Sequence, residues 1–239
     1  MKTKFKDIYI NYEVLGEKGP WIVFLHGWGG SIESFKIVAE SFDTNRCLLL
    51  DFPPFGESEE PYEVWNNDTY VALLRHILDE LKIKTCDIIA HSFGGRVAIK
   101  FANRYNESVK KIILVDSAGV KPRFSLKKFI RIRRYKLAKR LGLKTRDYSS
   151  PDYKKLSSLM KKTFVNIISE DLSPLLKSIT CPTLIIFGKD DKETPLYMAK
   201  KINKKIKDSA LIVFENCGHF AYLEDYYRFV TIAKSFLKG

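Results

Sequence analysis

No apolar run in this 239-residue chain approaches the roughly 20 residues that a membrane-spanning helix needs. The opening stretch MKTKFKDIYINYEVLG lacks the apolar core of a signal peptide. Cysteine is scarce. Cys47, Cys86, Cys181 and Cys217 include no C-x-x-C pair, so neither a disulfide framework nor a zinc cluster is expected. Three of them lie in apolar runs, which reads as reduced, buried thiols in a cytoplasmic protein. The chain has no G-x-G-x-x-G and no terminal G-K-[ST], so a phosphate-binding loop is poorly supported. Internal repeats and low-complexity linkers are absent, and no metal or organic cofactor is expected.

Acidic residues are also few, 28 against 41 Lys and Arg, for a net charge of +13. The imbalance is local. Residues 121–162 hold sixteen basic residues and only two acids, Asp147 and Asp152, while the rest of the chain is close to neutral. A solvated helical face is the plainest reading of such a segment. A surface that attracts an acidic partner or substrate is the sharper one.

What the chain does have is alternation. WIVFLHG (21–27), RCLLLDF (46–52), TCDIIAHS (85–92), KIILVDS (111–117), TLIIFGKD (183–190) and ALIVFENC (210–217) are short, continuous and apolar. Runs of this kind suit parallel strands buried on both faces. Helical patterns fall between them at 34–42, 68–81, 93–105, 195–202 and 222–237. Thr194-Pro195 reads as an N-cap followed by a first-turn proline. DIYINYEVLG (7–16) alternates as an antiparallel edge strand would. The prediction is an α/β fold: a mostly parallel, doubly wound sheet. From about Gly119 to Ile179 the strand rhythm stops, and basic amphipathic stretches such as SLKKFIRIRRYKLAKRLGL take over. This predicts a helical cap at 119–179, inserted before the last two strands, on a core of 1–118 and 180–239. The cap would cover the C-terminal edge of the sheet, where open α/β sheets bind ligands.

The chemistry centres on AHSFGG (90–95). A serine between a strand and a helix sits on a sharp turn that pushes its Oγ out at the sheet edge. The positions two before and two after must be small, because strand and helix backbones meet there. Gly94 meets this, and Ala90 exceeds it by one methyl. Ser92 is therefore the candidate nucleophile, and it needs a base and an orienting carboxylate. His219, in ENCGHFAYLE after the last strand run, is the candidate base. Asp191, in IIFGKDDKETP, is the preferred acid because its position yields the order Ser, Asp, His. Asp190 and Asp116 remain alternatives, although the first suits a turn cap and the second a strand end. Backbone donors would receive the oxyanion, and the candidates are the N–H groups of Trp28, in FLHGWGGS, and of Phe93.

These pieces resemble the α/β-hydrolase fold superfamily, in its branch with a helical cap. HGWGG matches the oxyanion loop, DFPPFGES a strand-end turn, AHSFGG the nucleophile elbow, GKDD the acid loop and GHF the base loop. The resemblance spans essentially the whole chain and is specific for fold and triad, but not for substrate. It departs at Ala90 and at Pro54, each standing where glycine is usual. Haloalkane dehalogenases and epoxide hydrolases of this fold use an aspartate at the elbow, so Ser92 points to acyl chemistry. The H-G-G-x-P-G-like loop of proline iminopeptidases and many carbon–carbon bond hydrolases is missing.

The expected activity is cleavage of a carboxylic ester or thioester, with a small-molecule ester or acyl compound as substrate. HGWG and a basic cap are also similar to pimeloyl-acyl-carrier-protein methyl ester esterases. That resemblance implies an acidic acyl carrier protein held by Arg131, Arg133, Arg134, Lys136, Lys139 and Arg140. A carbon–carbon bond or enol-lactone hydrolase is a further alternative, and a ligand-binding receptor or scaffold is the non-enzymatic one. The cap's interleaved basic and apolar residues also suit an anionic membrane surface. Nucleic acid is not an expected partner, since no base-reading motif accompanies the charge.

Overall fold

The computed structural model describes residues 1–121 and 151–238. Its centre is an eight-stranded sheet in the order β1-β2-β4-β3-β5-β6-β7-β8. The strands are β1 (Lys2–Phe5), β2 (Ile8–Leu15), β3 (Trp21–Leu25), β4 (Arg46–Leu50), β5 (Cys86–His91), β6 (Val109–Val115), β7 (Thr183–Gly188) and β8 (Ser209–Phe214). Strands β3 to β8 run parallel, and β1 and β2 pair antiparallel at one end.

The continuous apolar runs follow from burial on both faces. Val23, Leu25, Ile88, Ala90, Ile112, Leu114, Ile185 and Phe187 face one layer. Ile22, Phe24, Ile89, Ile113, Val115, Leu184 and Ile186 face the other. The first layer packs under the helices Asn67–Glu80, Phe93–Arg104 and Leu196–Lys205, and the second under Glu33–Ala39 and Tyr226–Lys238. Each fully buried Ile or Phe contributes roughly 1.5–3 kcal/mol. The helix Asn67–Glu80 begins where Asn66 accepts the Thr69 N–H at 3.0 Å, which satisfies one of its orphan donors.

Several sequence expectations need correction. The alternating segment at 7–16 is antiparallel but lies second from the edge, because Lys2–Phe5 pairs outside it. The run at 210–217 forms the opposite edge, and most of β8 is only half-buried. The helix expected at 222–237 is two helices, Ala221–Glu224 and Tyr226–Lys238. Thr194 does not cap the helix Leu196–Lys205, since Pro195 holds that position and the Thr194 hydroxyl hydrogen-bonds instead to Asp191 Oδ2 and the Asp116 carbonyl.

Nearly half of the expected cap, residues 122–150, lies outside the described residues, as do all six cap candidates from Arg131 to Arg140. The described remainder is helical at Pro151–Lys155 and Ser158–Ser169. Ser157 caps the second of these by accepting the Met160 N–H at 3.1 Å. Its far end is fastened to the core by buried polar groups. Arg96 Nη1 donates to the carbonyls of Ile167 at 2.9 Å and Glu170 at 3.0 Å. Asn67 Nδ2 donates to the same Ile167 carbonyl at 3.1 Å. Lys100 Nζ lies 2.7 Å from both Asp68 Oδ2 and Glu170 Oε1. The last-turn carbonyls thus receive cationic and amide donors in place of the missing helical partners. Among the described residues, no helix is long and apolar enough to cross a membrane.

The topology places the site. After β3 the chain crosses to β4 on one side, then returns to β5 on the other. The loops leaving β3 and β5 therefore diverge and open a crevice at the carboxyl ends of the strands.

Candidate active site

Ser92 stands at the end of β5 with φ +48° and ψ −110°. A non-glycine residue rarely adopts this conformation, and it costs on the order of 1–3 kcal/mol. Local contacts hold it there. The Ser92 N–H donates to Val115 O at 3.1 Å, and its carbonyl accepts from Gly95 N at 3.1 Å and Ala118 N at 3.0 Å. The helix Phe93–Arg104 starts immediately after, pressed against β3. A Cβ built on Gly94 would lie 2.1 Å from the Leu25 carbonyl oxygen, so only glycine fits. Gly94→Ala is expected to cost about 2 kcal/mol or more, because backbone must move rather than a side chain. A thermal melt unchanged from wild type would contradict that contact. Ala90 is fully buried in the strand among the first core layer, which accommodates its methyl.

His219 comes from the loop after β8. Its Nε2 lies 3.0 Å from Ser92 Oγ, and its Nδ1 lies 2.8 Å from Asp191 Oδ2. Three residues from three loops thus form one continuous hydrogen-bonded chain. Asp191 is fixed from all sides. Its Oδ1 accepts the N–H groups of Glu193 at 2.7 Å and Thr194 at 3.0 Å, and the Thr194 hydroxyl reaches Oδ2 at 2.5 Å. Burial pushes this carboxyl up, but the hydrogen bonds from His219 and Thr194 outweigh it, and its pKa falls below the ordinary 3.8. Burial likewise pulls the His219 imidazole down. The hydrogen bond and charge of Asp191, with Glu193 and Asp116 behind them, more than offset this, and its pKa is raised above 6.5.

The two alternative acids have other places. Asp190 is exposed, and its N–H donates to Cys217 O at 2.9 Å. Asp116 is fully buried and braces the loops. Its Oδ1 accepts Gly188 N–H at 2.8 Å and its Oδ2 accepts Ala221 N–H at 3.0 Å. Burial, opposed by those two bonds, pushes it up to about 7.

Trp28 and Phe93 flank the elbow, with ring centroids 5.4 Å apart. Among the described residues, neither backbone N–H donates a hydrogen bond. The Phe93 N–H opens its helix, so it has no intrahelical acceptor. The Trp28 ring also meets Phe55 at 4.9 Å and Phe164 at 5.2 Å, and Phe164 meets Tyr153 at 5.6 Å. The helix Ser158–Ser169 therefore supplies part of an aromatic wall. Phe220 is about half exposed and packs on His91, with ring centroids 5.1 Å apart.

Two histidines that sequence reasoning passed over hold the loops. His26 Nδ1 lies 2.7 Å from Gly27 O, and its Nε2 accepts the Phe52 N–H at 2.8 Å, which places the proton on Nδ1. This ties the loop carrying Trp28 to the end of β4. His91 Nε2 donates to the His219 carbonyl at 2.7 Å. Burial lowers His26 to about 4 and His91 to about 3, so both rings are neutral braces. Their only sequence signal is position, since His26 opens HGWGG and His91 directly precedes Ser92. Asp51 joins the same loops. Its Oδ1 accepts Ile32 N–H at 2.7 Å and its Oδ2 accepts Glu57 N–H at 2.9 Å, while Gly56 (φ +58°) passes too close to that carboxylate to carry a Cβ. Pro54 thus sits in an ordered turn, with a cis Pro53–Pro54 bond.

The chain is similar to several known proteins. It is 24% identical to a 2-hydroxy-6-oxo-2,4-heptadienoate hydrolase from Pseudomonas putida, over 96% of this chain and 93% of that one. It is 26% identical to a proline iminopeptidase from Lactobacillus helveticus, over 99% and 96%. Among solved structures, an esterase from Exiguobacterium antarcticum superposes with a TM-score of 0.79 at 25% identity, covering 97% of this chain and 96% of that one. A family model described as alpha/beta hydrolase fold matches residues 20–147 and 134–226. With a serine elbow after β5, an acid after β7 and a histidine after β8 on an eight-stranded, mostly parallel sheet, the chain belongs to the α/β-hydrolase fold family.

Proposed function

We propose that this hydrolase cleaves a carboxylic ester or thioester through an acyl-enzyme on Ser92. The observation that carries the reading is the unbroken chain from Asp191 Oδ2 through the His219 ring to Ser92 Oγ, with links of 2.8 and 3.0 Å. Ser92 Oγ attacks the substrate carbonyl carbon while His219 Nε2 takes its proton. Asp191 holds the ring with its proton on Nδ1 and stabilises the cation that forms. The Trp28 and Phe93 N–H groups receive the oxyanion, each worth about 3 kcal/mol in the transition state. The C–O or C–S bond breaks, and Nε2 returns the proton to the departing alcohol or thiol. Water then attacks the acyl carbon, His219 takes its proton, and the acid leaves as Ser92 Oγ is reprotonated.

The raised His219 pKa sets the pH dependence. The ring must be neutral to accept the Ser92 proton, so activity is lost as pH falls through its pKa. On a neutral ester, kcat/KM is expected to rise with pH to a plateau, with a midpoint above 6.5. A midpoint below 6.5 in a kcat/KM–pH profile would count against His219 as the base.

A fluorophosphonate probe tests the nucleophile directly. It should label Ser92, and the Ser92→Ala variant should take up none. A panel of esters and thioesters of varied chain length then defines the acyl group. Hydrolysis without Ser92 labelling would overturn the mechanism. Absence of both labelling and turnover would favour a binding protein on this fold.

The same residues support a second reading, hydrolysis of a carbon–carbon bond or an enol-lactone. It is favoured by the similarity to the Pseudomonas putida hydrolase. The HGWGG loop favours the ester reading, and a meta-cleavage dienoate in the same panel separates the two. An acidic acyl carrier protein or an anionic membrane surface is proposed as partner of the basic segment 121–162, in a cytoplasmic setting that suits four free, buried thiols. Carrier binding that weakens with salt would support the first.

A further inference from the structure

The turn after β7 places a carboxylate on each nitrogen of the His219 ring. Asp191 Oδ2 meets Nδ1 at 2.8 Å, and Glu193 Oε2 lies 3.5 Å from Nε2. The second contact is unlike the first. The Asp191 side chain is fully buried, whereas that of Glu193 is 72% exposed. Glu193 is set there by the acid loop itself, since its N–H donates to Asp191 Oδ1 at 2.7 Å. Nothing in the hydrolytic cycle above uses it.

Its place is chemically specific. Nε2 is the atom that returns a proton to the departing alcohol, so the leaving group must pass beside it. A substituent a few atoms from the scissile oxygen would then lie within about 5 Å of the Glu193 carboxylate. We propose that Glu193 is a specificity residue that favours substrates whose alcohol part is cationic over those whose alcohol part is anionic. This inference rests on the ester-hydrolase reading. The negative charge beside Nε2 also agrees with the raised His219 pKa, to which Glu193 contributes.

The size follows from exposure. Two charges about 5 Å apart in a largely solvated setting alter a rate constant about twofold to threefold, in opposite senses for a cation and an anion, so the ratio of the two shifts by about fivefold to tenfold. The effect should weaken with salt, because an exposed carboxylate is screened.

The test uses three esters of the acyl group turned over fastest in the ester panel. The alcohols are choline, its neutral isostere 3,3-dimethylbutan-1-ol, and 2-hydroxyethanesulfonate. The readout is the ratio of kcat/KM for the choline ester to that for the sulfonate ester, taken within each protein. Changes in absolute activity then cancel, and the neutral ester reports which arm moved. The ratio is expected to fall about fivefold to tenfold in Glu193→Gln, and by a similar further factor in Glu193→Lys. In about 0.5 M NaCl the wild-type ratio should move toward that of Glu193→Gln. Ratios that agree within about twofold across all three proteins would overturn the role of Glu193 and leave the ester reading standing. If the wild type turns over no ester or thioester, both readings fall together.

Discussion

Ser92→Ala is expected to lower kcat/KM by about 10⁴-fold or more, while the protein melts at nearly its wild-type temperature. The two halves of this expectation have separate causes. The rate falls because alanine lacks the Oγ that stands 3.0 Å from His219 Nε2, and no other hydroxyl among the described residues contacts that nitrogen. The backbone donors remain, so a residual acceleration over water persists. Stability survives because one exchangeable atom is removed. The φ of +48° is imposed by the backbone bonds to Val115, Gly95 and Ala118, which alanine keeps. The stability change should stay within about 0.5 kcal/mol, as for substitutions that disturb no packed contact. Single-turnover kinetics on an activated ester and a thermal melt check both halves. Near-wild-type turnover would remove Ser92 from the reaction.

Asp191→Asn is expected to lower kcat by about 10³- to 10⁴-fold, and also to cost about 2 kcal/mol of stability. All acceptor positions of this carboxylate are in use. Two backbone N–H groups meet Oδ1, and the His219 ring and the Thr194 hydroxyl meet Oδ2. Asparagine replaces one oxygen by a donor. If its NH₂ faces His219, the ring is driven to the tautomer with its proton on Nε2, which cannot accept from Ser92. If it faces the loop, the Glu193 and Thr194 N–H groups lose their acceptor, and the second of these is buried. The other two candidate acids serve as internal controls. Asp190→Asn, on an exposed side chain, should leave kcat within about twofold, as a surface substitution does. Asp116→Asn should weaken the loops that Gly188 and Ala221 bring to its oxygens, so it should lower the melting temperature more than it lowers kcat. Loss of turnover in Asp116→Asn with little loss in Asp191→Asn would reassign the acid.

Elements buried on both faces were legible because burial leaves a mark on every residue. Each position of β5 or β7 faces a helical layer, so the strand reads as an unbroken apolar run. The elbow was legible for a related reason, since steric closeness between strand and helix demands small residues at Ala90 and Gly94 whatever the neighbours. Edges were harder. Lys2–Phe5 is short and polar, and β8 is half-covered, so neither pattern distinguishes an edge from its neighbour. Braces were harder still. His26 and His91 act through Phe52 and His219, far away in the chain, and no local spacing announces such contacts.

By itself, then, the sequence determined the alternating architecture, the serine at a strand end, and the order of serine, acid and histidine. These depend on local sterics and on the periodicity of burial, which are written residue by residue. Only the tertiary structure decided which of three aspartates meets His219, that Asp116 braces loops, and that Glu193 stands at the second ring nitrogen. Those outcomes depend on how three loops converge at the carboxyl end of the sheet. Distance there is set by the packing of β5 through β8, not by separation along the chain.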